Sequence, residues 1–129
     1  MTAIHYEYQD ADGSVRFRVT RSDYGAGKKS FTQAHRDSAE GQWVFKAPSW
    51  SRPVFGLPNV LAHPDATVLV VEGEKTCIAA QKYLPSGWVV TTWSGGASAV
   101  RQTDWTPLRG RRVVVWPDID QQKGKDGAL

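Results

Sequence analysis

Thr67-Val68-Leu69-Val70-Val71-Glu72-Gly73 is the stretch on which the reading of this chain turns. Its first five residues are β-branched or apolar with no polar alternation. Such a run suits a strand buried on both faces, the habit of parallel sheets. Glu72-Gly73-Glu74-Lys75 stops the strand, and residues 76–84 are expected to form a helix with Ile78, Ala79 and Tyr83 facing inward. Pro85-Ser86-Gly87 ends that helix. Residues 88–93 repeat the strand pattern, and Ser94-Gly95-Gly96 closes it as a tight loop. A second helix is expected over 97–105, followed by the breakers Pro107 and Gly110. Arg112-Val113-Val114-Val115-Trp116 predicts a third strand, with Pro117-Asp118-Ile119-Asp120 directly behind it. Strands alternating with helices predict a parallel α/β unit over residues 66–129.

The half that precedes this unit has a different grammar. Residues 4–8 and 15–19 alternate apolar and polar around the turn signal Asp10-Ala11-Asp12-Gly13, which predicts a β-hairpin. Val15, Phe17 and Val19 would share one face and the arginines the other. A Gly/Lys loop over 24–29 leads to two further strand candidates, residues 30–33 and 42–46. Pro48, Pro53, Pro58 and Pro64 punctuate a connector in which 57–62 has room for one helical turn. The fold class expected is therefore α/β, α+β overall. A small, basic, mainly antiparallel β subdomain over 1–65 precedes the parallel sheet with its flanking helices.

Composition narrows the function classes. The 129 residues are 40% hydrophobic and 22% charged, ordinary values for a folded domain. No stretch approaches the roughly 20 apolar residues of a membrane helix, and no secretory signal is visible, so no membrane partner is expected. Cys77 is the single cysteine, so no internal disulfide forms. His5, His35 and His63 have no spacing that would build a zinc site or a triad with it. A cytoplasmic location fits these features. Net charge is +3, but the distribution says more than the total. Between residues 14 and 36 stand Arg16, Arg18, Arg21, Lys28, Lys29 and Arg36 against one acid, Asp23. That strip is either a solvated basic face or a surface that contacts nucleic-acid phosphates. Trp43 and Trp50 come after it, as core residues or as stacking platforms for bases.

The candidate chemistry lies behind the strands. Ligands of parallel α/β sheets bind outside the carboxyl ends of the strands. Glu72 follows one strand, and Asp118 and Asp120 follow another, so all three acids should face one sheet edge. Clustered carboxylates repel unless neutralised, and a hard dication with oxygen ligands is the usual neutraliser. Ser94, Gly95 and Gly96 close the remaining strand, either as an ordinary turn or as a loop whose backbone N–H groups approach a phosphate. Lys75 is placed to contact phosphate, or to pair with Glu72 or Glu74 at the surface. Cys77 reads as helix packing.

These residues together resemble the Toprim domain of primases, topoisomerases and some nucleases. Its marks are a Glu-Gly after one strand and an Asp-x-Asp after a later one, here Glu72-Gly73 and Asp118-Ile119-Asp120. Val70 to Lys75, Thr91 to Ala97 and Leu108 to Asp118 are similar to the version found in phage and plasmid primase-helicases. Tyr6 to Val19 and Phe55-Gly56-Leu57-Pro58 resemble the segment that precedes Toprim there. The resemblance implies a DNA primase core, a metal-dependent nucleotidyltransferase of DNA replication that makes short RNA primers. Glu72 would act as general acid/base or help hold metal, and Asp118 and Asp120 would bind Mg²⁺ or Mn²⁺. The implied partners are a single-stranded DNA template and ribonucleoside triphosphates, with a replicative helicase as a further candidate.

The sequence also departs from that pattern. Thr76 stands where many primases carry an aspartate. The family's fold continues with a helix and strand after Asp-x-Asp, whereas Leu129 lies nine residues beyond Asp120, so the C-terminal unit is expected to be short of that fold. A non-catalytic nucleic-acid-binding module derived from a primase, or a Toprim nuclease, are the alternatives.

Overall fold

In the computed structural model, which describes residues 1–117, the two halves form two three-stranded sheets. The first is an antiparallel meander of β1 (Thr2–Gln9), β2 (Val15–Gly25) and β3 (Lys28–His35). The Asp10–Gly13 turn joins β1 to β2, with Gly13 N–H donating to Asp10 O at 2.9 Å and Gly13 at φ 89°. Tyr6 pairs with Val19 and Tyr8 with Phe17 across β1 and β2, and these four form the buried face. A register shift between Tyr8 and Gln9 leaves Arg16 as the extra residue of a β-bulge.

The second sheet is parallel, in the order β5-β4-β6, with β4 (Thr67–Val71) in the centre, β5 (Trp88–Thr91) and β6 (Val113–Trp116). Its two faces feed two cores, as the uninterrupted apolar run requires. Val68 and Val70 pack with Val54, Leu57, Val60 and Val89, whereas Leu69 and Val71 pack with Cys77 and Val90. Helix α1 (Leu57–Ala62) covers the first face; its C-terminal end is held by Arg111, which donates to the carbonyls of Val60, His63 and Ala66 at 3.2, 2.7 and 3.1 Å. Helix α2 (Glu74–Gln81) covers part of the second face. The mixed α/β class expected from the sequence is the one the chain adopts.

Three local expectations need correction. Residues 42–46 form no strand: only Val44 makes an isolated bridge, to His35, because Trp43 beside it is turned onto Arg18 and Arg36. Residues 97–105 form a six-residue 3₁₀ helix, Ala97–Gln102, and not an α-helix. It stops because Thr103 is drawn into an extended pairing with Arg52, whose N–H donates to Gln102 O and whose carbonyl accepts from Asp104 N–H. Finally, α2 begins at Glu74, and its inward residues are Glu74, Cys77 and Ala80, with Leu84 beyond its end packed against the same core. Ile78 and Tyr83 are 40% and 84% exposed.

The rotation of α2 has one cause. The Tyr8 hydroxyl, fully buried, donates to Glu74 Oε2 at 2.5 Å and joins the two sheets. With Glu74 drawn inward, Cys77, three positions on, faces inward with it. Phe55 seals the same junction, with ring centroids 5.0 Å from Tyr8 and 6.3 Å from Tyr6.

Burial first, then the Glu74 carboxylate, raise the Tyr8 pKa well above its ordinary value. The unfolded phenol loses its proton at about pH 10, while the folded one keeps it. The bond therefore stabilises fully below about pH 10 and progressively less as pH rises above it. Tyr8→Phe strips the buried Glu74 of its partner and is expected to cost about 2–3 kcal/mol. Urea melts at pH 7 measure this loss, and in the variant the steepening of alkaline destabilisation above about pH 10 should be reduced.

Candidate functional site

The carboxyl edge of the parallel sheet carries three chain segments: the turn after β4, the loop after β5, and Pro117 after β6. In this strand order, β5 lies on one side of β4 and β6 on the other. The chain therefore reverses direction between β4 and β6, and the crevice there is where ligands of such sheets bind. Glu72 is half-buried at the head of β4 and lines a groove of about 780 Å³ together with Val71, Thr76, Trp116 and Pro117.

What holds Glu72 in place is a residue without a role in the sequence pattern. Thr92 is fully buried, and its hydroxyl donates to Val71 O at 2.6 Å and accepts from Gly73 N–H at 3.0 Å. One side-chain oxygen thus brackets Glu72 on both sides. The neighbouring Thr91 donates to Phe55 O at 2.7 Å, and Phe55 N–H donates to Thr92 O at 2.9 Å. The connector is tied to the same edge through these bonds. A Thr-Thr pair ending a strand was the available signal, since buried hydroxyls need partners. Gly73 sits at φ 98° and turns the chain from β4 into α2.

The other expected residues take varied places. Asp118 and Asp120 lie outside the described residues. Among the described residues, no group of three His, Cys, Asp or Glu side chains is placed to hold a metal. Ser94 is 3% exposed, so the loop presents backbone there and not the hydroxyl. Gly95 and Gly96 adopt φ of 86° and 70°, and a Cβ on Gly95 would stand 2.6 Å from the Ala99 Cβ. Both glycines are required by this tight turn, whose geometry is further held by Trp93 Nε1–H donating to Gly96 O at 2.7 Å. Lys75 is exposed and makes no ion pair among the described residues. Its expected surface partner Glu74 is bound to Tyr8 instead. Cys77 is buried, and burial together with the Glu74 charge pushes its thiol up to about 12, which makes it an inert packing residue.

The six cations of the basic strip do not share one face. Arg21 lies opposite Ile4 and Phe31, and its register places it with Phe17 and Val19 on the side turned towards α2. Arg18 lies on the opposite side, where it and Arg36 each stack on the Trp43 ring at 4.4 Å. Arg16 stacks on Trp50 at 4.6 Å and pairs with Asp10 at 3.4 Å. Lys28 and Lys29 stand exposed where β3 begins. Trp50 packs half-buried against Phe17 and His35. Both tryptophans are therefore engaged within the chain.

A family pattern matches residues 3–119, across both sheets and as far as Ile119. The chain belongs to the DUF6371 family, a domain of unknown function. The match includes Glu72 and Asp118. Comparison with curated proteins returns no match. Among the described residues of this DUF6371 domain, no helix is long and apolar enough to cross a membrane.

Thr92→Val keeps the shape of the side chain and removes its hydroxyl, leaving Val71 O and Gly73 N–H without that partner. The expected cost is about 1–3 kcal/mol, read from thermal melts. Thr92→Ser retains the hydroxyl and should recover most of it.

Proposed function

We propose that this chain is a Toprim-type catalytic core of a primase, joining ribonucleotides on single-stranded DNA in a metal-dependent reaction. The observation that carries the reading is the placement of Glu72. It stands at the carboxyl end of the central strand of a parallel sheet, beside the strand that leads into Asp118-Ile119-Asp120. Parallel pairing of β4 with β6 brings the strand ends Val71 and Trp116 to one edge, and an acidic motif follows each of them in the sequence.

The donor chemistry fits Mg²⁺ or Mn²⁺. All three candidate ligands are carboxylates, the hard oxygen donors such ions take, and Glu72 has no hydrogen-bond or ion-pair partner among the described residues. When bound, the metal would neutralise phosphate charge and lower the pKa of the attacking hydroxyl. The chain's own part is positional. Thr92 and Gly73 hold Glu72 at the crevice, where its carboxylate would serve as metal ligand or as proton acceptor. Asp118 and Asp120 would complete the set. Exposed cations near the edge would attract the anionic template and triphosphates.

The test is primer synthesis on single-stranded DNA with labelled ribonucleotides and Mg²⁺ or Mn²⁺. Short oligomers are expected from the native chain. Asp118→Ala and Asp120→Ala should each reduce them on the order of 10³-fold, as the loss of several kcal/mol of charge stabilisation implies. Undiminished synthesis in both variants would sink the reading. DNA binding without synthesis would make the chain a non-catalytic module, and shortening of labelled DNA would make it a nuclease.

A further inference from the structure

A second concavity, of about 250 Å³, lies where the antiparallel sheet meets the first turn of α2. It is lined by Thr2, Ile4 and Tyr6 of β1, Arg21 and Asp23 of β2, and Lys75 of α2. The strand residues belong to one face of the hairpin. Ile4 stands directly opposite Arg21, and Thr2 opposite Asp23. Lys75 arrives from the other half of the molecule, and its neighbour Glu74 is anchored to Tyr8 on that same hairpin. The Tyr8–Glu74 bond therefore sets the two cations across one small pocket, although they are far apart in sequence.

From these observations we infer that the pocket is a phosphate site, and that it takes the triphosphate tail of a nucleotide. Two cations held on one concavity repel each other unless an anion comes between them. The single acid present does not supply it within an ion pair: Asp23 Oδ1 accepts from Gly25 N–H at 3.1 Å, and neither Arg21 nor Lys75 makes a salt bridge among the described residues. Arg21 is oriented by Phe31, whose ring centroid lies 5.9 Å from its Cζ, which leaves the planar guanidinium fork open to phosphate oxygens. Lys75, in the first turn of α2, adds a point charge from the opposite wall. The volume is below the roughly 300 Å³ at which pockets for whole small molecules begin. It suits phosphate groups without their nucleoside. Lys75 is three residues beyond Glu72, so a tail held here belongs to a nucleotide whose reacting end is near the sheet edge.

The assignment to a nucleotide rests on the function proposed above; the preference for phosphate rests on the pocket alone. The experiment separates them. The full chain is titrated with inorganic tripolyphosphate in EDTA, and separately with ATP and with a single-stranded oligonucleotide lacking terminal phosphates. Amide chemical shifts report the site and the affinity. Saturable shifts around Arg21, Asp23 and Lys75 are expected with tripolyphosphate and ATP. Arg21→Gln and Lys75→Gln should each weaken binding about tenfold, the loss of one charge-assisted hydrogen bond, with melting curves unchanged. No saturable shift, or equal affinity in both variants, overturns the phosphate site, whatever the chain does in primer synthesis. Competition by the oligonucleotide and not by ATP overturns the triphosphate assignment. Tripolyphosphate binding lost in the variants of a chain that makes no primers supports the site and counts against the primase reading alone.

Discussion

A single buried hydrogen bond, from the Tyr8 hydroxyl to the Glu74 carboxylate, organises this molecule. It joins residues 66 positions apart and is the polar contact buried between the antiparallel sheet and α2. A carboxylate taken out of water is costly unless it is hydrogen-bonded. Its position at the start of α2, where the helix's partial positive charge lies, lowers that cost further. The aromatic rings of Tyr6, Tyr8, Phe17 and Phe55 exclude water around the bond. Exclusion strengthens the bond and raises the penalty for breaking it.

The acid turn after β4 is shaped by this constraint. Glu72 and Glu74 are two residues apart and have the same chemistry, yet they meet opposite fates. Glu74 goes inward to Tyr8. Glu72 stays at the crevice, held there because the Thr92 hydroxyl fastens the peptide groups before and after it. One acid is structural and the other available. The same division sends Lys75 away from its neighbours and into the cavity with Arg21.

The basic half is held by a different kind of contact. Arg18 and Arg36 cover Trp43, Arg16 covers Trp50, and the planar guanidinium suits such stacking better than an ammonium would. These arginines cover aromatic surface on a small sheet with their guanidinium planes, and Arg16 and Arg36 also donate through Nε to the carbonyls of Arg36 and Val15. On β6 the opposite condition holds. The four residues of β6 are between 39% and 64% exposed although all are apolar, and two of them, Val114 and Trp116, border the groove beside Glu72.

By itself the sequence determined the strands of the parallel sheet, the hairpin and its turn, and α1. Each is a local matter of periodicity, β-branching or turn chemistry, and each pattern is complete within a few residues. It also determined that Glu72 would lie at the carboxyl edge, because a glycine-bearing turn after a fully apolar strand leaves few other arrangements. Only the tertiary structure decided which way the second acid points, and with it the face of α2. The partner that draws Glu74 inward is a tyrosine on another sheet, and no local pattern encodes that distance. The same holds for Thr92 and the short 3₁₀ helix. A buried hydroxyl's two partners and a pairing with Arg52 are decided by neighbours that the fold supplies. Periodicity reads burial along one element, whereas hydrogen-bond satisfaction is settled between elements.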